Sequence, residues 1–164
     1  MEIRLAADLQ PDSIVDGEGI RTVLWTQGCP HACPGCHNPD THDFNGGALV
    51  DVDYIIDELR TIKNQDGITL SGGDPLCQPE ACLEIARAAH SMGLNGWCYT
   101  GFTYEKLILN PKAKALLEEV DVLVDGKFKI EEKSLEDQRV VLVDKYIEDK
   151  KYTNKYEKPR YMFI

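Results

Sequence analysis

Residues 20–38 read IRTVLWTQGCPHACPGCHN. The first seven, IRTVLWT, are β-branched and aromatic, the composition of a buried strand. They end at Gln27-Gly28, and three cysteines follow at 29, 33 and 36, spaced C-x-x-x-C-x-x-C. Pro30 and Pro34 interrupt helix, and Gly35 permits close approach of the backbone. A loop of this kind, placed just after a strand, can aim three thiolates at one point.

Outward from this stretch the chain alternates between strand and helix. In 51–64, Val52, Ile55, Ile56, Leu59 and Ile62 recur at helical spacing, and Asp51 suits the N-cap. GITL at 67–70 is a short buried strand that runs into Ser71-Gly72-Gly73-Asp74-Pro75. A second helix is expected over 78–92, with Pro79 in its first turn and Gly93 ending it. NGWCYT at 95–100 is the next strand. Helical segments at 103–110 and 112–119 break at Pro111, and strands follow at 120–125 (VDVLVD) and 139–143 (RVVLV). The remainder, 144–164, is rich in Lys, Tyr and Glu and reads as a surface segment or a short edge strand at its closing YMFI.

This order predicts an α/β fold with a parallel sheet and right-handed crossovers. A closed eightfold barrel takes about 250 residues. The 164 present point to one domain, a partial, open βα barrel of five or six mainly parallel strands, with its core at about 10–145. Ligands in such folds sit at the carboxyl ends of the strands. The cysteine loop, Ser71 to Pro75, Thr100-Gly101 and Asp125-Gly126 all fall at such ends, so they should share one mouth.

Composition narrows the chemistry. Acidic residues number 28 and basic residues 18, a formal charge of −10, which argues against a nucleic-acid binder and against an anionic membrane surface. No run approaches the ~20 apolar residues of a membrane-spanning helix. The opening MEIRLAADLQPDS lacks the pattern of a signal peptide. A cytoplasmic protein is therefore expected. In that reducing compartment six cysteines suggest metal or redox chemistry rather than disulfides. Zinc would need a fourth ligand, which His31, His37 or His42 would have to supply. A cubane cluster on three cysteines leaves one iron open. Spacing favours the iron–sulfur cluster over zinc, and zinc over unligated thiols. Cys77, Cys82 and Cys98 read as buried apolar residues.

Cys29, Cys33 and Cys36 followed by Ser71-Gly72-Gly73-Asp74-Pro75 resemble the radical S-adenosylmethionine (SAM) superfamily. The stretch VDGEGIRTVLWTQGCPHACPGCHNPDTHDF, 15–44, is similar to the activases of glycyl radical enzymes. LSGGDPL, WCYTGFTYE and DVLVDGKF fit the subgroup that activates anaerobic ribonucleoside-triphosphate reductase. The likeness covers about 10–145. Three features depart from the common patterns: Gly35 before the third cysteine, Asp16-Gly17-Glu18-Gly19 in place of Asp-Gly-Pro-Gly, and only Gln138-Arg139 of a longer Gly-Ser-x-Asn-Gln-Arg loop. The same glycine before the third cysteine occurs in the reductase-activating subgroup.

The resemblance implies a [4Fe-4S] cluster on Cys29, Cys33 and Cys36. It also implies SAM held by Gly35, Cys36, His37, Ser71, Gly72, Gly73 and Asp74, with Thr100 and Gly101 at the pocket edge. Reduced flavodoxin or ferredoxin would supply one electron, SAM would be cleaved, and the resulting radical would take hydrogen from a glycine of a partner. That partner is expected to be the large subunit of anaerobic ribonucleotide reductase. No general acid or base is required, so no catalytic residue is expected beyond cluster and SAM. Action on another glycyl radical enzyme, a peptide or a small molecule is the alternative. A non-catalytic zinc-binding module is the reading from another class.

Overall fold

The computed structural model describes residues 1–31, 39–126, 139–142 and 151–153. Among the described residues nine strands form one sheet: β1 (Glu2–Leu5), β2 (Gln10–Ser13), β3 (Arg21–Thr26), β4 (Ala48–Asp51), β5 (Gly67–Gly72), β6 (Asn95–Tyr99), β7 (Val122–Asp125), β8 (Arg139–Leu142) and β9 (Lys151–Thr153). Their order is β4-β1-β3-β5-β6-β7-β8-β9, with β2 also on β3. The centre, β3-β5-β6-β7, is parallel throughout. Among the described residues no pairing joins β4 to β9, so the sheet is open.

The strands exceed the five or six expected, and the additions are antiparallel. The reason lies in the connections. A parallel neighbour needs a long crossover, generally a helix. Helices occupy the three crossovers at the centre: α1 (Val52–Thr61), α2 (Pro79–Ser91), and α3 (Tyr104–Leu107) with α4 (Pro111–Glu119). β1 and β2 precede the first crossover, so they can only flank it. The closing strand lies at β9, while YMFI falls outside the described residues.

The helices form where local chemistry starts and stops them. Asp51 caps α1 by accepting from the Asp53 amide at 2.8 Å. Val52, Ile55 and Leu59 turn one face inward. Pro111 begins α4 rather than interrupting a helix, and the Asn110 side chain caps the Lys112 and Ala113 amides.

Alternation gives the sheet two faces. Leu24, Ile68, Leu70, Cys98 and Leu123 point to the helices and join Ile55, Leu59, Cys82, Ile85 and Leu116 in the main core. Arg21, Val23, Thr69, Trp97 and Val124 occupy the other face, and all are buried. Residues 16–18 lie across its lower end. There Arg21 donates from Nη1 to the Glu18 carbonyl (2.7 Å), from Nη2 to the Ile68 (2.7 Å) and Asn95 (3.3 Å) carbonyls, and from Nε to Thr69 Oγ1 (2.8 Å). Its guanidinium also lies 5.6 Å from the Trp97 ring centre.

One side chain ties the antiparallel flank to the centre. Gln78 accepts from the Arg4 amide at 2.7 Å and donates from Nε2 to the Arg4 carbonyl at 2.9 Å and the Gln27 carbonyl at 3.3 Å. It serves β1 as a strand partner would.

Candidate metal and cofactor site

The cysteine loop leaves the carboxyl end of β3 and returns to the place it left. The Gly28 amide donates to the Thr41 carbonyl (2.6 Å) and the Cys29 amide to the His42 carbonyl (3.1 Å). Buried Gln27 adds bonds from Nε2 to the Asp40 (3.1 Å) and Asp43 (2.7 Å) carbonyls. Four hydrogen bonds thus close the base of the loop, and Cys29 stands half-buried at its start. Cys33, Gly35, Cys36 and His37 lie outside the described residues.

Beside this base runs the turn after β5. The Gly73 amide donates to the Thr26 carbonyl (2.7 Å) and the Asp74 amide to the Gly28 carbonyl (2.8 Å). The glycines are required here. Gly72 has φ +100°, and a Cβ on Gly73 would stand 2.4 Å from the Gly28 carbonyl oxygen. Two motifs more than forty residues apart therefore meet main chain to main chain.

Asp74 organises the mouth. Its carboxylate is wholly buried. Oδ1 accepts from the Leu76 amide at 3.0 Å and Oδ2 from the Gly101 amide at 3.0 Å. Thr100 Oγ1 donates from 2.9 Å to both oxygens and accepts from the Phe102 amide at 3.1 Å. His31 Nε2 donates to Oδ2 at 2.6 Å. Burial of a carboxylate demands such donors. The structure thus brings Thr100 and Gly101 to Asp74, where the sequence placed them only at a shared end. His31 was weighed solely as a zinc ligand, and its pairing with a residue 43 positions away leaves no local sequence pattern. Ser71 lies next to last in β5, and its carbonyl accepts from Thr26 Oγ1 at 2.9 Å.

The other cysteines separate by burial. Cys82 and Cys98 are fully enclosed, and burial pushes both thiols far above their ordinary range. Cys77, half-buried in the 3₁₀ turn Pro75–Cys77, is pushed up to about 12 by burial, with Asp74 and then Cys29 adding to it. Such thiols are inert at neutral pH. Asp125, which the sequence placed at the shared mouth, is buried and accepts from the Tyr104 amide at 2.6 Å.

The residues present suit an iron–sulfur cluster and a polar ligand. Cys29 is a soft donor at the right strand end. The backbone at 28, 72, 73 and 101 carries no Cβ. The Tyr99 hydroxyl, at the end of β6, is buried without a hydrogen-bond partner among the described residues. Burial raises its phenol pKa, with Asp16 adding and Arg21 opposing. A buried hydroxyl of this kind is one that a bound polar group would satisfy.

Comparison with known proteins agrees with these observations. The family described as 4Fe-4S single cluster domain matches residues 15–147. The anaerobic ribonucleoside-triphosphate reductase-activating protein of Haemophilus influenzae is 36% identical over 126 residues, covering 72% of this chain and 80% of that protein. Its namesake from Escherichia coli is 37% identical over 127 residues, with the same coverage. The pyruvate formate-lyase-activating enzyme of Clostridium pasteurianum is 38% identical over 87 residues, 50% of this chain and 37% of its own. With a family match across most of the chain and a cysteine loop locked to a Gly-Gly-Asp turn, the chain belongs to the 4Fe-4S single-cluster family and, within it, to the radical SAM activases of glycyl radical enzymes.

Proposed function

We propose that the chain, as one domain, activates anaerobic ribonucleotide reductase by generating a glycyl radical on its large subunit. The observation that carries this reading is the Asp74 amide bond to the Gly28 carbonyl at 2.8 Å, which sets the cofactor-binding turn against the start of the cysteine loop. Cys29, Cys33 and Cys36 hold a [4Fe-4S] cluster; Gly35, His37, Ser71, Gly72 and Gly73 bound the SAM pocket, with Thr100 and Gly101 at its rim. When bound, cluster and SAM together supply a one-electron cleavage that ends in hydrogen abstraction from the partner's glycine. The chain's own part is placement. Closed loop bases fix the ligands, and the glycine turns let main-chain carbonyls face an ammonium.

The open sheet is read as a partial barrel of the radical SAM kind, whose gap admits a protein loop. Reduced flavodoxin or ferredoxin serves as electron donor, and the cytoplasm is the compartment. No helix among the described residues is long and apolar enough to cross a membrane. Partial likeness to a pyruvate formate-lyase-activating enzyme keeps another glycyl radical enzyme as the second reading of the partner.

Anaerobic reconstitution should give about four iron and four sulfide per chain, the content of one cubane. Dithionite and SAM should then yield 5′-deoxyadenosine, and Cys33→Ser should abolish that product. Stoichiometric zinc without iron would refute the reading. Electron paramagnetic resonance of the mixture with the reductase should show a glycyl doublet; its absence there and presence with another partner selects the second reading.

A further inference from the structure

We propose that His31 is a positioning residue that latches the cysteine loop to the SAM-binding turn through Asp74. His31 lies two residues beyond Cys29, and its side chain is only 6% exposed. The ring fills a fitted slot. Its Nε2 donates to Asp74 Oδ2 at 2.6 Å. Phe102 meets it edge-on, with ring centres 4.4 Å apart at 73°. Gly101 lies so close that a Cβ there would stand 2.5 Å from the ring's Cδ2. Gly101 does not have the positive φ that favours glycine, so close approach to the ring is what forbids a side chain.

The latch matters because of what Asp74 already holds. Its two oxygens accept from Leu76, Thr100 and Gly101, and the histidine completes the set. With those donors in place, the carboxylate acts as the joint between three segments rather than as the direct partner of a ligand ammonium. His31 brings the cysteine-bearing segment into that joint. Removing the ring would leave Asp74 in place but free the chain beside Cys29. Partners that orient metal ligands in this manner typically change affinity or activity by 10–100-fold when lost.

The functional part of this inference rests on the activase reading, so the experiment reads the two separately. The full chain is reconstituted anaerobically as wild type, His31→Ala, His31→Gln, Gly101→Ala and the His31→Ala/Gly101→Ala double variant. Iron and sulfide content, the resonance spectrum of the reduced cluster with and without SAM, and SAM affinity by equilibrium dialysis are measured. His31→Ala should keep its iron, bind SAM roughly tenfold more weakly and show a diminished SAM-induced spectral change. His31→Gln, which restores an N–H donor, should recover most of both. Gly101→Ala, which expels the ring without deleting it, should reproduce the loss in the wild-type background and add little once the ring is gone.

Wild-type affinity and spectrum in His31→Ala overturn the proposal, as does a Gly101→Ala loss that multiplies with that of His31→Ala. Iron loss in both histidine variants also overturns it, because it marks His31 as a metal ligand through Nδ1. An alanine variant that does not fold shifts the decision to Gly101→Ala, where unchanged SAM affinity overturns it. A wild-type chain that takes up no iron defeats the activase reading instead. The latch is then decided by thermal unfolding of the metal-free protein: Gly101→Ala should lower the midpoint by about 3 °C or more only when His31 is present. Equal lowering in both backgrounds overturns the latch.

Discussion

Asp74→Ala is expected to lower the thermal midpoint on the order of 10 °C and to abolish measurable SAM binding. The carboxylate is wholly buried and receives the Leu76 and Gly101 amides, the Thr100 hydroxyl and the His31 ring. Alanine leaves those donors enclosed without an acceptor. Each such group costs roughly 1–3 kcal/mol, and loss of one partner from a buried charged set costs about 3–5 kcal/mol in all. Asparagine does not rescue it, because its amide turns N–H groups toward neighbours that are themselves donors. Circular dichroism of the metal-free variant tests the stability, and dialysis of reconstituted protein tests the binding. A midpoint within about 2 °C of wild type would show that Asp74 is not the joint described.

The second large effect is expected far from the mouth. Arg21→Lys should destabilise the fold nearly as much as Arg21→Ala, by about 3 kcal/mol or more. Burial lowers the guanidinium pKa to about 10, so the protein works against this charge and compensates with acceptors. Those acceptors are the Glu18, Ile68 and Asn95 carbonyls and Thr69 Oγ1, spread over β5, the start of β6 and the segment before β3. A planar fork reaches all of them from one stem, whereas an ammonium does not. Urea unfolding measures the loss. Arg21 sits at the amino end of β3, opposite the cysteine loop, so cluster content per folded chain should stay at the wild-type level. A lysine variant as stable as wild type would show that the fork geometry is dispensable.

Much of this site was legible because its parts announce themselves locally. Three cysteines in a proline-broken loop and a Gly-Gly-Asp turn need no tertiary information to be noticed, and strand alternation placed both at one end. The central strands were equally clear, since Ile68, Leu70, Cys98 and Leu123 are packed on by helices that show their own spacing. The flanks were not. β1 and β4 have four residues each, and β2, QPDS, carries a proline and little apolar character. β1 and β2 take strand form against β3, and β4 against β1, which nothing in their own composition reports. His31 was missed as a structural partner for a related reason: a histidine between two cysteines invites a metal reading, and its true contact is set by the distance between two strand ends.

The Gln78 bridge has a consequence for how this protein is made. A ribosome delivers β1 first, yet the main chain of Arg4 finds its partners in the Gln27 amide and in the side chain of Gln78. Nearly half the polypeptide must emerge before the Arg4 amide meets its acceptor. The nascent chain can pair β1 with β3 early, but it carries the Arg4 amide without its protein acceptor past the synthesis of the entire cysteine loop. The loop base, closed by Thr41 and His42, can form while that amide still lacks Gln78. Vectorial synthesis thus orders the two events, so the base of the cysteine loop can close before the Gln78 bridge ties β1 to the centre.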